Sequence, residues 1–185
     1  MKTFFSETEL KYDGTQLRSH FAYDTFNILG DSIVAFIGPC DVKKEHLVDL
    51  EDVHQNHFIY SENMLHFIVE HFDGDLKLMI AKQRLLIDLI IQEMNDSADN
   101  LNIKRQGDDI YDDMLKLSVS IATSSPVSCL IHTGINISSK NTPVPAVGLD
   151  DYNINAHALT TGVLNRYRAE MDSMEKARCK VKATK

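Results

Sequence analysis

The feature that most constrains this chain is a pair of alternating segments between residues 107 and 138. Residues 115–123 and 126–138 alternate apolar and polar side chains, and a Ser-Ser-Pro turn joins them. Such alternation is typical of half-buried strands, and turn residues between two such runs predict an antiparallel hairpin. The chain is therefore expected to build a sheet that packs one face against a core.

The rest of the chain mixes helices and strands. We expect helices at 15–29, at 75–95 and after Asn155, and further strands at 3–12, 32–37, 58–60, 64–72 and 102–106. The segment 75–95 repeats apolar residues with the helical period, and Asn155 has the chemistry of a helix cap. No repeat or flexible linker divides the sequence, so residues 1–185 are predicted to form a single domain. This order indicates an α+β fold with a mixed, largely antiparallel sheet and helices packed on one face.

The polar side of the predicted hairpin carries one lysine among small side chains. Strand alternation places three residues of each strand on this side, namely Lys116, Ser118 and Ser120, and His132, Gly134 and Asn136. Where the two sides coincide, they form a floor that suits a carboxylate or a phosphate, with Lys116 as the cation. Gly134 would let a ligand approach the backbone. The alternative interpretation is a solvated strand face, on which lysine and serine are common.

The same stretch resembles the signature of biotin and lipoate protein ligase catalytic domains. Asp108-Asp109-Ile110 followed by Lys116-Leu117-Ser118 is similar to their Asn-Asp-Ile motif and the lysine strand after it. His132-Thr133-Gly134-Ile135-Asn136-Ile137 is similar to their Gly-Ile-Asn-Val strand and to a strand of octanoyltransferases. Over nearly its full length the chain also resembles the domain of unknown function 366 family, which implies no activity. The ligase resemblance implies the fold that these enzymes share with class II aminoacyl-tRNA synthetases.

The resemblance also implies roles for individual residues. Lys116 would be the catalytic residue that contacts the acyl and phosphate oxygens, while Asp109 and Asn136 match family positions in the motif and the strand. The early helix borders the pocket in the ligase architecture, so Arg18 would clamp a carboxylate, although a surface arginine is an equal alternative. The substrate-binding set is Arg18, Asp109, Ser118, His132, Gly134 and Asn136, and no residue is assigned as a metal ligand.

Several positions depart from the ligase pattern. Val119 replaces a glycine that lets an acyl-adenylate pass, and Met114 replaces a turn glycine. The glycine- and arginine-rich loop of the ligases is missing, which argues against the ATP and Mg²⁺ that the resemblance implies and leaves the cofactor open. Octanoyltransferases carry a nucleophilic cysteine after the last strand, where this chain has Pro145-Ala146-Val147-Gly148, so a thioester mechanism is not expected there.

A cysteine and several histidines offer a weaker alternative. Cys40, Asp41, His46, His54 and His57 have the chemistry of metal ligands, but their spacing matches no zinc signature, so zinc is not expected. Cys40 with His66 or His132 as a base is a second hypothesis, and an inert buried cysteine is favoured over it.

Composition limits the partners and the compartment. The net charge of −8 and the pI of about 5.4 argue against nucleic acid as a partner. No apolar run reaches the roughly 20 residues of a membrane span, and no signal peptide is recognisable. The three widely spaced cysteines indicate a reduced, cytoplasmic protein. An exposed hairpin and an apolar last helix favour a homodimer.

Three functions fit these observations. The first is an enzyme, a ligase or an acyltransferase, that binds a small carboxylate, acyl or acyl-adenylate group and transfers it. The second is a non-catalytic protein that binds an anionic metabolite on the same scaffold. The third, with the least support, is a zinc-dependent protein that uses Cys40 and nearby histidines.

Overall fold

A computed structural model describes residues 1–55, 58–98 and 101–184. Its strands are β1 (Lys2–Phe5), β2 (Ser32–Val42), β3 (Ile59–His71), β4 (Ile103–Gln106), β5 (Asp109–Asp112), β6 (Leu115–Lys116), β7 (Ser118–Ser124) and β8 (Cys129–Ser138). Its helices are α1 (Phe21–Phe26), α2 (Leu50–Gln55), α3 (Leu76–Ser97) and α4 (Ala156–Lys180), with 3-10 turns at Lys44–His46 and Leu149–Tyr152.

Five strands form the main sheet in the order β1-β2-β3-β8-β7. The β1–β2 pair is parallel, and the other three pairs are antiparallel. Long apolar stretches in β2, β3 and β8 explain why these strands occupy the centre, where both faces are covered. The predicted α+β class with a mixed, largely antiparallel sheet is confirmed.

The two long helices cover one face of this sheet. Asp75 caps α3 by accepting a hydrogen bond from the backbone N–H of Leu78, and Asn155 caps α4 in the same way through Ala158. Their apolar faces bury a continuous core against inward-facing residues of β2, β3 and β8, which include the fully buried Phe67. No helix within the three described ranges is long and apolar enough to cross a membrane.

The opposite face of the sheet carries a smaller apolar cluster and the short helix α1. The predicted helix 15–29 is wrong in extent, because turns occupy the residues before Phe21 and only six residues are helical. His20 adopts left-handed backbone angles (φ 63°), and its N–H donates to both carboxylate oxygens of the buried Glu70 at 3.0 Å. A tertiary contact with β3 therefore fixes the turn that begins this helix.

Strands β2 and β3 are longer than the sequence pattern predicts. A Gly-Pro pair was expected to end the strand at residue 37, but β2 continues to Val42 with a register shift between Gly38 and Cys40. The two short strands predicted at 58–60 and 64–72 are one strand, β3. The bulge accommodates Pro39, which has no N–H to donate, so the strand continues beyond it.

A small three-stranded sheet, β4-β5-β6, leads into the main sheet. Strand β5 was not predicted, and it pairs with β4 through a tight turn in which Gly107 has a φ of 64°. Between β6 and β7, Leu117 donates to the carbonyl of Ile110 and accepts from the N–H of Asn136. The segment predicted as one strand at 115–123 is therefore broken at Leu117, where the chain passes from one sheet to the other.

Candidate functional site

A cavity of about 480 Å³ lies on the sheet face that α3 and α4 leave uncovered. Its floor comes from β3, β7 and β8, and its sides come from the segment after β2 and the loop after β8. The lining includes Tyr12, Met64, Asp108, Asp109, Lys116, Val119, Ile121, His132 and Asn136 on the floor and at its edge, and Leu47, Val48, Asp49, Asp52, Phe58 and Val144 on the sides. The cavity has the size of a small-molecule site.

Lys116 is fixed at this cavity by its backbone. Its N–H donates to the carbonyl of Pro145 at 3.0 Å, and its carbonyl accepts from the N–H of Val147 at 3.1 Å. The Nδ2 of Asn136 donates to the carbonyls of both Lys116 and Val147 at 3.4 Å. The loop after β8 is thereby held against β6, and Asn136 positions the lysine through its main chain.

The ammonium of Lys116 pairs with the carboxylate of Asp109, with Nζ and Oδ2 2.7 Å apart. Burial disfavours the charged lysine, but the attraction and hydrogen bond of Asp109, together with smaller attractions to other groups, outweigh burial and raise the pKa of Lys116. Burial also raises the pKa of Asp109, against the opposing effect of Lys116. The Oγ of Ser118 accepts from the N–H of Ile110 at 2.7 Å and donates to Asp109 at 3.3 Å, so the carboxylate is oriented on both sides.

Acidic side chains surround this ion pair. Asp108 pairs with Arg84 at 3.2 Å, and Asp49 and Asp52 line the opposite side of the cavity. Among the described residues that line the cavity, Lys116 is the one lysine or arginine. The described lining therefore carries one lysine and four aspartates, and Arg84 outside the lining neutralises one of these aspartates, Asp108.

Two histidines and a tyrosine form the inner part of the floor. Nδ1 of His66 lies 3.1 Å from Nε2 of His132, and Nε2 of His66 lies 3.2 Å from the carbonyl oxygen of Gly38. The ring of Tyr12 stacks on His132 with centroids 3.7 Å apart. Burial lowers the pKa of His66 to about 3 and holds the pKa of His132 well below 6.5, so both imidazoles are neutral.

The structure brings some of the predicted floor together and separates the rest. His132 and Asn136 line the same cavity as Lys116 and Asp109. Ser118 and Ser120 also border the cavity, but their hydroxyls bond elsewhere: Ser118 accepts from the N–H of Ile110 in β5, and Ser120 accepts from Gln83 of α3. The chain break at Leu117 reverses the expected alternation, so Val119 and Ile121 occupy the cavity side of β7.

Gly134 and Arg18 also differ from their expected positions. A side chain at Gly134 would collide with Met64 and approach Val119 Cγ2 to 3.2 Å, so Met64 fills the space expected for a ligand. Arg18 lies outside the cavity lining, its side chain is half exposed, and its guanidinium pairs with Asp24 at 2.5 Å. A turn in place of the predicted helix turns this arginine away from the cavity.

Sequence reasoning did not find Tyr12 and Met64. Met64 begins the apolar part of β3, where it is indistinguishable from other core residues. Tyr12 reaches the floor through an isolated β-bridge to Cys40, and no local sequence pattern predicts this pairing.

The metal and thiol alternatives find no support in the described residues. Within residues 1–55, 58–98 and 101–184, no three His, Cys, Asp or Glu side chains are arranged to hold a metal ion. His57, one of the proposed ligands, lies outside those residues. Cys40 is fully buried, and burial raises the pKa of its thiol to about 12, which makes it a poor nucleophile.

Thiol labelling tests this account of the cysteines. In the native protein, Ellman's reagent is expected to react rapidly with the exposed Cys179, while the buried Cys40 and Cys129 react only after unfolding in guanidinium. Rapid labelling of Cys40 in the native state, identified by peptide mass mapping, would restore the nucleophile hypothesis.

Comparison with known proteins gives close relatives and a wider fold group. The family model described as "Domain of unknown function (DUF366)" matches residues 1–182. "Uncharacterized protein MJ0805" of Methanocaldococcus jannaschii is 38% identical over 183 residues, which cover 95% of this chain and 82% of that protein. A solved "Protein of Unknown Function" from Pyrococcus horikoshi is 37% identical, with a TM-score of 0.91 over 100% of this chain and 99% of that one.

More distant solved structures share the fold. A mutant of the biotin protein ligase from Aquifex aeolicus, in complex with biotin, has a TM-score of 0.63 at 12% identity, over 95% of this chain and 72% of that one. Protein Ta0514 from T. acidophilum with bound lipoic acid, a candidate lipoate protein ligase, has a TM-score of 0.60 at 12% identity, over 92% and 85% of the two chains. With a match along almost its whole length and this shared fold, the chain belongs to the DUF366 family and has the fold of biotin and lipoate protein ligase catalytic domains.

Proposed function

We propose that the cavity binds a small carboxylic acid or an acyl group, with the polar head at Lys116 and the apolar body along Met64, Val119 and Ile121. The observation that supports this proposal is that Lys116 is the one lysine or arginine in the described lining of a cavity with many apolar side chains. A lysine has three donors, and Asp109 occupies one of them, so two remain for a ligand oxygen. The two distant structures of this fold that contain biotin and lipoic acid are consistent with a ligand of this kind.

The charge of the cavity limits how much negative charge its ligand can carry. Asp49 and Asp109 repel a highly charged ligand, and the one lysine of the described lining, Lys116, is already paired with Asp109. A monoanion fits this balance better than a nucleotide triphosphate. Binding without transfer is therefore the second candidate function, and the presence of these aspartates in the lining is the observation that favours it.

A series of ligands with one chain and different head groups tests the proposal. Isothermal titration of the full chain is expected to show octanoate binding at least about tenfold tighter than octylamine, because a hydrogen bond to a charged group contributes about 1.5–3 kcal/mol. 1-Octanol serves as the neutral control and is expected to bind weakly. Tighter binding of octylamine would show that the aspartates, rather than Lys116, select the ligand, and would contradict the proposal.

Exchange of labelled pyrophosphate into ATP separates transfer from binding. If the protein activates its acid, exchange will depend on ATP, Mg²⁺ and octanoate together. Octanoate binding without such exchange supports the second candidate, a carrier or sensor of the acid.

A further inference from the structure

His132 lies at the end of the cavity away from Lys116. It pairs with Ile68 of β3 and Ile121 of β7, and only 3% of its surface is exposed. His132 and Asn136 share a face of β8 four residues apart, which corresponds to about 13 Å along the strand. Because Asn136 bonds to the carbonyl of Lys116, the imidazole and the ammonium mark two separate points of one cavity.

Hydrogen bonding fixes the proton positions on the two histidines. The carbonyl of Gly38 can only accept, so Nε2 of His66 must carry the proton that it donates. In a neutral ring the other nitrogen is then an acceptor, so Nδ1 of His66 accepts from Nε2–H of His132. By the same rule, Nδ1 of His132 has no proton and presents a lone pair.

This lone pair has no partner in the described part of the chain. No hydrogen bond joins Nδ1 of His132 to residues 1–55, 58–98 or 101–184. The imidazole of His132 is part of the cavity lining. The ring of Tyr12 is stacked on the imidazole with centroids 3.7 Å apart, which restrains the plane of the imidazole.

We infer that Nδ1 of His132 is a second recognition point, which accepts a hydrogen bond from a hydroxyl or amide N–H in the body of the ligand. This inference rests on the proposed function, and it narrows the ligand class from carboxylic acids in general to those that carry a donor away from the carboxylate. A plain hydrocarbon chain would leave this buried acceptor unsatisfied, which disfavours such a chain.

Pairs of ligands that differ in a single hydrogen-bond donor test the inference. We would titrate the full chain with ω-hydroxy acids of six, eight and ten carbons and with the methyl ethers of the same acids. At the chain length that reaches His132, the hydroxy acid is expected to bind about fivefold tighter than its ether, the net effect of one hydrogen bond. Equal affinities at all three lengths would overturn the inference and leave the proposed function intact, whereas failure of every acid to bind would overturn both.

Two variants identify the acceptor. His132→Phe keeps an aromatic ring in the stack and is expected to abolish the preference for the hydroxy acid, while Tyr12→Phe keeps that preference. If Tyr12→Phe abolished the preference and His132→Phe kept it, the hydroxyl of Tyr12 would be the group that binds the ligand's donor, and the inference would be contradicted.

Nitrogen-15 NMR of the unliganded wild-type protein identifies the tautomers of His66 and His132 without any substitution. Both His66 and His132 are expected to show protonated Nε2 and unprotonated Nδ1 at neutral pH. A protonated Nδ1 on His132 would refute the inference whatever the ligands do.

Discussion

Lys116→Ala is expected to weaken octanoate binding by about thirtyfold. A hydrogen bond to a charged group contributes about 2 kcal/mol, and this free energy corresponds to about thirtyfold in the dissociation constant. The substitution also leaves the carboxylate of Asp109 in the cavity without its cation, so the remaining charge repels the ligand. Isothermal titration of both proteins gives the ratio directly.

Lys11→Ala is the matched control for that experiment. Lys11 forms an ion pair with Asp41 at 2.6 Å, which resembles the Lys116–Asp109 pair in geometry but is exposed and outside the cavity lining. This variant is expected to bind octanoate as the wild type does. Equal affinities of Lys116→Ala and wild type, with both folded by circular dichroism, would show that the ammonium does not hold the ligand.

Glu70→Ala is expected to lower the free energy of unfolding by about 3 kcal/mol. Glu70 is 3% exposed, and its carboxylate accepts hydrogen bonds from the N–H of His20 and from the hydroxyl of Ser128, the latter at 2.7 Å. Its removal leaves buried donors unpaired at about 1–3 kcal/mol each and releases the left-handed turn that begins α1. Chemical denaturation measures the loss, and the melting temperature should fall by roughly 10 °C.

Glu62→Ala provides the comparison on the same strand. Glu62 is exposed, and its carboxylate accepts from Asn141 at the surface. We expect a change within about 0.5 kcal/mol. If the two variants lost equal stability, the contacts of Glu70 would not be what fixes α1 against the sheet.

The parts of the fold that the sequence predicted correctly depend on local signals. Helix α3 was expected from its apolar repeat and α4 from its apolar repeat after a cap at Asn155, and that cap forms. The hairpin of β7 and β8 follows in the same way from alternation and a turn. Local patterns suffice where the neighbouring residues themselves supply the hydrogen bonds.

The errors arise where distant residues decide the geometry. The helix predicted from residue 15 is replaced by turns, because Glu70, fifty residues away in sequence, holds the backbone of His20. The serines predicted for the cavity floor face β5 and α3, because Leu117 joins two sheets and interrupts the alternation. No propensity or period in the sequence encodes these contacts.

The candidate site was predicted in part for the same reasons. Strand alternation predicted Lys116 and Asn136 and the resemblance to ligases added Asp109, and the three do come together at the cavity. His132 was chosen as a polar residue of the floor, but its proton position depends on His66 and Gly38, which β3 and the β2 bulge bring into place. Alternation can place a histidine on a face, but it cannot specify which nitrogen carries the proton.

A crystal structure of the full chain grown with octanoate tests the central claim most directly. The account predicts a carboxylate oxygen within about 3 Å of Nζ of Lys116, with the hydrocarbon chain against Met64 and Val119. Octanoate bound elsewhere on the protein, with the cavity left to solvent, would contradict it.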